Sequence, residues 1–172
     1  MWGQPGTVAS RVKLGGTYSR VRKMAVIHEE DRSLQRHRLK FRWLPGLYAV
    51  VHMASDSPIP DWATKGEFNS ITRTPDELSI VCPTENLPPD LNSPHRWICF
   101  KLEGPFPFSM TGVLLSFIGP LSTNGIPIFA VSTYDTDYVL IQEEWGGTAI
   151  AELQREGHEL LPKDESSRKS ID

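Results

Sequence analysis

Between Arg96 and Leu161 the spacing of apolar residues switches from two to about 3.6 and back, twice, and that order narrows the folds open to the chain. Arg96-Trp-Ile-Cys-Phe-Lys-Leu102 alternates as a strand, and Gly104 to Phe108 is a loop carrying Pro105 and Pro107. Val113, Leu114, Phe117, Ile118 and Leu121 then recur at helical spacing, with Ser109 or Thr111 placed to cap the start and Asn124-Gly125 to close the end. Pro120 should kink this helix. Strands follow over Ile126 to Thr133 and Tyr138 to Gln142, joined by the turn Tyr134-Asp135-Thr136-Asp137. Glu143 and Glu144 favour the start of a second helix with Ala149, Ile150 and Leu153 on one face. Gly157 ends it, and His158 to Leu161 forms a last short strand. Strand, helix, strand, strand, helix, strand is the ferredoxin-like split β-α-β order, so the fold class is α+β.

The preceding stretch is richer in strands. Leu47 to Met53 is β-rich, and Pro58-Ile-Pro60 with Trp62 is too short and proline-broken for a long helix. Phe68 to Thr74 and Glu77 to Cys82 read as strands around a Pro75-Asp76 turn, and the proline-rich loop Pro83 to Pro94 is a seam. Ile71 to Val81 also aligns without gaps on Val131 to Ile141, setting Glu77 on Asp137. That echo points to two related units. The expected organisation is a basic, disordered extension over 1–38, a degenerate strand-rich unit over 39–94, a complete unit over 95–162 and a disordered tail over 163–172.

Net charge of −3 conceals an asymmetry: Met1 to Arg42 carries ten Lys and Arg against three acids, and the remainder eight against eighteen. The basic residues are scattered without aromatic stacking partners or a helical stripe, which argues against nucleic acid. The acid-free stretch as far as Ile27 also has the character of an organellar transit peptide, and Met24 could begin a leaner chain. No apolar run approaches the roughly 20 residues of a spanning helix, so no membrane partner is expected. Cys82 and Cys99 stand in apolar strand runs without a CxxC partner, and read as reduced core thiols rather than metal ligands.

Catalysis finds no support in the residues. No Gly-x-Ser-x-Gly elbow, Walker loop, dinucleotide fingerprint or His-Glu-x-x-His occurs, and histidines 28, 37, 52, 95 and 158 are dispersed. No cofactor or metal is expected.

Phe68-x-Ser70-Ile-Thr-Arg-Thr74-x-x-Glu77-Leu-Ser-Ile-Val81-Cys-Pro83 is similar to the first half of ACT-like proteins of the CASTOR type. Gly104, Phe108, Gly112-Val-Leu, Pro120-Leu, Gly125-Ile and Ser132-Thr-Tyr-Asp-Thr-Asp-Tyr-Val-Leu140 continue the likeness. The chain resembles, through them, the regulatory ACT domains of aspartate kinases and the cytosolic arginine sensors of animals. The resemblance implies tandem ACT-like units, a cytoplasmic location and a non-catalytic protein that binds a free amino acid, pairs as a homodimer and acts on a regulated protein partner. The alternative is a ligand-free ACT-like dimerisation or interaction module.

The resemblance also implies a site. An amino-acid carboxylate is held by backbone N–H groups at a helix N-terminus, here within Phe108-Ser109-Met110-Thr111-Gly112-Val113. Its ammonium takes a carboxylate from the adjacent hairpin, Asp137 first and Asp135 second, with Thr133, Tyr134 and Thr136 lining the pocket. The same residues have a structural reading: Ser109 and Thr111 as caps, Gly112 for close packing, the aspartates as turn formers.

Overall fold

A computed structural model describes residues 36–91 and 95–162. The expectations for 1–35 and for 163–172 lie outside the described residues. Eight strands form one continuous sheet: β1 (Lys40–Trp43), β2 (Tyr48–Met53), β3 (Ser70–Arg73), β4 (Leu78–Pro83), β5 (Trp97–Leu102), β6 (Ile128–Ser132), β7 (Asp137–Gln142) and β8 (Glu159–Leu160). Helices α1 (Val113–Thr123) and α2 (Gly146–Arg155) stand at the two expected places. Only a short 3₁₀ turn, Asp61–Thr64, occupies the link between β2 and β3.

Strand β5 is the hub. One of its edges pairs antiparallel with β7 along its length. Its other edge is shared end to end by β1, from Phe41 against Leu102 to Trp43 against Phe100, and by β2 through Tyr48 against Trp97. The last strand does not pair with β5 directly, because β1 is inserted between them and pairs in parallel with β8. Lys40–Trp43, placed in the first unit by the sequence, thus completes the sheet of the second.

Alternation along these strands sorts side chains into three apolar layers. Ile98, Phe100, Leu102, Val139 and Ile141 face α1 and α2, where Phe117 lies edge-on to Phe41 and Phe100. Cys99 and Leu140, from the opposite face, meet Tyr48 and Val81, with Phe68 stacked on Tyr138 at 4.1 Å. Ala49, Val51, Leu78, Ile80 and Cys82 form the third layer, covered by Ala63 and Trp62 of the 3₁₀ turn and by Leu87 and Leu91. Both cysteines are free and buried. Burial pushes the Cys82 thiol up to about 11 and Cys99 further, so neither holds a reactive thiolate near neutral pH.

Pro120 does not end α1, which continues to Thr123. A proline there cannot bond the carbonyl of Ser116 four residues earlier. The buried imidazole of His158 takes that place, with Nε2 3.1 Å from the Ser116 oxygen, while Nδ1 accepts from the Leu39 N–H at 3.1 Å.

The expected echo holds in shape but not in register. Arg73 opposes Leu78 in the first hairpin and Ser132 opposes Asp137 in the second. The turns Thr74–Glu77 and Thr133–Thr136 therefore correspond, so Glu77 falls on Thr136 and not on Asp137.

Candidate functional site

The connection from β5 to α1 and the turn from β6 to β7 come together at one end of the sheet. The Phe106 N–H donates to the carbonyl of Asp135 at 2.9 Å, and the Thr136 hydroxyl donates to the carbonyl of Leu102 at 2.7 Å. Gly104 makes the approach feasible, because a Cβ there would stand 2.5 Å from the Asp135 carbonyl oxygen. Phe108 then lies edge-on to Tyr134 at 5.1 Å, both rings more than three-quarters exposed. Large aromatic rings left in water mark a surface where something else can dock.

The helix terminus next to this pair differs from the expectation. Neither Ser109 nor Thr111 caps α1; the N-cap is Gly112, at φ 79°, and among the described residues no side chain caps the helix start. A left-handed φ is reached cheaply only without a Cβ, which accounts for glycine there. The Ser116 N–H and hydroxyl both donate to the Gly112 carbonyl, at 2.9 and 2.7 Å. Among the described residues the first-turn N–H groups have no side-chain acceptor and keep their partial positive charge, and no acidic residue stands in that turn.

The remaining candidates divide between surface and support. Met110 and Ser109 are exposed, and the Met110 N–H closes a turn onto the Pro107 carbonyl. Val113 is buried in the core under α1, so it anchors the helix. Thr136 is buried, and Thr133 closes the hairpin with its N–H and hydroxyl both on the Thr136 carbonyl at 2.8 Å. Asp135 is exposed at the turn tip. The Asp137 carboxylate accepts a hydrogen bond from the Ser132 hydroxyl across the hairpin, on the sheet face it shares with Val139 and Ile141.

Sequence reasoning missed two histidines behind this end of α1. The His37 Nε2 lies 2.8 Å from the Thr111 carbonyl, and the backbone N–H of His37 donates to the Ser116 hydroxyl at 3.0 Å. Together with the Arg36–Glu156 ion pair at 3.6 Å, this draws residues assigned to the extension into the fold. No spacing pattern could have shown it, because His37 and His158 meet at Ser116 only in three dimensions.

Among the described residues no group of three or more His, Cys, Asp or Glu could hold a metal ion, and no helix is long and apolar enough to cross a membrane.

Comparison with known proteins gives these features a context. A family model described as an ACT domain matches residues 92–155, and a second, describing an N-terminal domain, matches residues 46–90. The bovine protein named cytosolic arginine sensor for mTORC1 subunit 1 is 26% identical over 143 aligned residues, covering 72% of this chain and 44% of that one. The human protein of the same name is 32% identical over 110 residues, 59% of this chain and 32% of that one. The chain thus spans less than half the length of these curated relatives. A crystal structure of an Agobacterium tumefaciens protein is 45% identical, with a TM-score of 0.70, covering 75% of this chain and 96% of that one. A Vibrio cholerae protein at 18% identity and TM-score 0.59 shares the fold.

Proposed function

Because this chain belongs to the ACT-domain proteins of the CASTOR type, we propose that it is a non-catalytic regulatory protein that senses a free amino acid. The observation that carries this reading is the meeting of the 104–112 loop with the 133–136 turn beside a helix terminus that no described side chain caps. A carboxylate suits that terminus, and the Asp137 or Asp135 carboxylate suits an ammonium. The exposed Phe108–Tyr134 pair supplies apolar surface for the remainder of the ligand or for a second protomer. Relatives named as cytosolic arginine sensors for mTORC1 favour a cytoplasmic protein that acts on a regulated protein partner, and the exposed Phe108–Tyr134 pair favours a homodimer.

A thermal-shift screen against the twenty amino acids tests the reading. One of them at about a hundred times its dissociation constant should add roughly 2.7 kcal/mol of stability. In a domain of this size that is a melting rise of about 2–4 °C. Asp137→Asn should weaken binding by roughly tenfold while the fold survives. Gly112→Val should abolish binding, since its φ of 79° does not suit a β-branched residue. A screen without any shift would leave the alternative, a ligand-free interaction module, in possession.

A further inference from the structure

Away from that end, strand β6 and the β3–β4 hairpin face each other across a groove of about 230 Å³. Ser70, Thr72, Ser79 and Val81 line one side, on a single face of the hairpin, since Ser70 opposes Val81 and Thr72 opposes Ser79. Phe129, Ala130, Val131 and Ser132 line the other. The hydroxyls of Ser70, Thr72 and Ser79 make no hydrogen bond within the described residues, and none of the lining residues is charged.

The β6 side is an open strand edge. Among the described residues β6 pairs only with β7. The bond from the Thr133 N–H to the Thr136 carbonyl makes that pair the hydrogen-bonded end of the hairpin. Alternation then turns the backbone N–H and C=O of Ser132, Ala130 and Ile128 away from β7. Proteins usually guard such edges with charge, proline or brevity. β3 ends on Arg73, and β8 has two residues, its Glu159 paired with Lys40, whereas Ile128-Phe-Ala-Val-Ser132 has no guard of either kind.

We propose that this groove takes up a short, extended, uncharged segment of a partner protein, which adds to the sheet at β6. Its main chain bonds the outward groups of Ala130 and Ser132, and its alternate side chains, small and hydroxyl- or amide-bearing, meet Ser70, Thr72 and Ser79. Length and charge exclude the free amino acid. The four lining residues of β6 extend about 13 Å, and no side chain on either wall could neutralise a zwitterion. A second copy's sheet edge is the competing occupant, and protection of the Ala130 and Ser132 amides that rises with protein concentration in the absence of probe would assign the groove to it and overturn the proposal. This site is independent of the amino-acid site and stands or falls by itself.

Backbone amide exchange on the full chain is the test, with a blocked octapeptide of alternating valine with serine and threonine as probe. The probe should slow exchange at Ala130 and Ser132 and shift the amides of Ser70, Thr72 and Ser79. The same peptide with a central proline, and free amino acids, should do neither. Ala130→Pro removes an N–H that no strand of the sheet uses, and should weaken the probe roughly five- to tenfold. Should that variant fail to fold, Ser79→Leu narrows the opposite wall and should weaken it likewise. Unprotected Ala130 and Ser132 amides at millimolar probe, or undiminished binding by both variants, would overturn the proposal.

Discussion

Hairpin β3–β4 turns through Thr74–Glu77 and hairpin β6–β7 through Thr133–Thr136, each closed by the threonine N–H on the fourth residue's carbonyl, at 2.9 and 2.8 Å. What lies over them differs. Residues 54–69 separate β2 from β3 and hold one 3₁₀ turn, while residues 103–127 separate β5 from β6 and hold a loop and an eleven-residue helix. The longer connection gives the second hairpin a helix terminus and an aromatic loop against its turn. The first hairpin instead has Arg73, whose guanidinium binds the carbonyls of Ser55 and Ser57. One hairpin design thus serves closure in one place and offers a candidate site in the other, and the connection before it decides which.

The difference should be largest in stability. Phe117 is fully buried among Phe41, Phe100 and His158, so Phe117→Ala should cost about 3–5 kcal/mol in denaturant unfolding. Trp62, half-buried over the first hairpin, should cost only about 1–2 kcal/mol as Trp62→Ala. Equal losses would mean that the 3₁₀ cover matches the helices, and the contrast would fail.

Next comes the junction between loop and turn. Gly104→Ala sets a methyl group 2.5 Å from a backbone oxygen that cannot swing aside. Stability should fall by about 1–3 kcal/mol. Amide shifts should appear at Asp135 and Thr136, and amino-acid affinity should fall with them. Shifts confined to residues near 104 would show that the turn holds its place without the loop.

Much of this was legible from residue order. Both helices, both hairpins and the short first connection follow from period and proline placement. The register of the echo was not, for a physical reason: Ile80, Val81 and Cys82 are all buried, as are Val139, Leu140 and Ile141. A strand buried on both faces shows no alternation, so a slip of one residue leaves no mark in its pattern. Nor was the inserted β1 legible, since a four-residue strand pairs through backbone groups that every sequence has. At the site, the structure brings the loop and the turn together through the Phe106–Asp135 and Thr136–Leu102 bonds, while the cap falls on the left-handed Gly112 and not on Ser109 or Thr111.

A smaller effect separates the two regions by pH. Burial lowers the pKa of His158, against the pull of the Ser116 carbonyl and the Glu156 charge, and Nδ1 accepts from the Leu39 N–H only while it is unprotonated. Below about pH 6.5 the unfolded chain binds a proton that the folded chain refuses. Stability is therefore full above that pH and should fall, on acidification, by up to about 1.4 kcal/mol per unit until the lowered pKa is reached. His158→Asn should flatten that slope. Identical slopes in the His158→Asn variant and the parent chain would remove His158 from the account.

The least effect is expected within the turns themselves, and it compares the two hairpins most directly. The Thr74 hydroxyl accepts from the N–H groups of Asp76 and Glu77, both at 3.2 Å, whereas the Thr133 hydroxyl donates to a carbonyl that its own N–H already satisfies. Thr74→Val leaves two donors to find water, while Thr133→Val leaves none unmet. A net bond of this kind contributes about 0.5–1.5 kcal/mol, and exposure puts both turns at the low end. Thr74→Val should thus cost about 1 kcal/mol and Thr133→Val no more than about 0.5, read as paired denaturant midpoints at unchanged slope. A larger loss at Thr133 would mean that the second turn depends on its hydroxyl and not on the loop bonded to Asp135, and would return the 104–112 segment to a passive role.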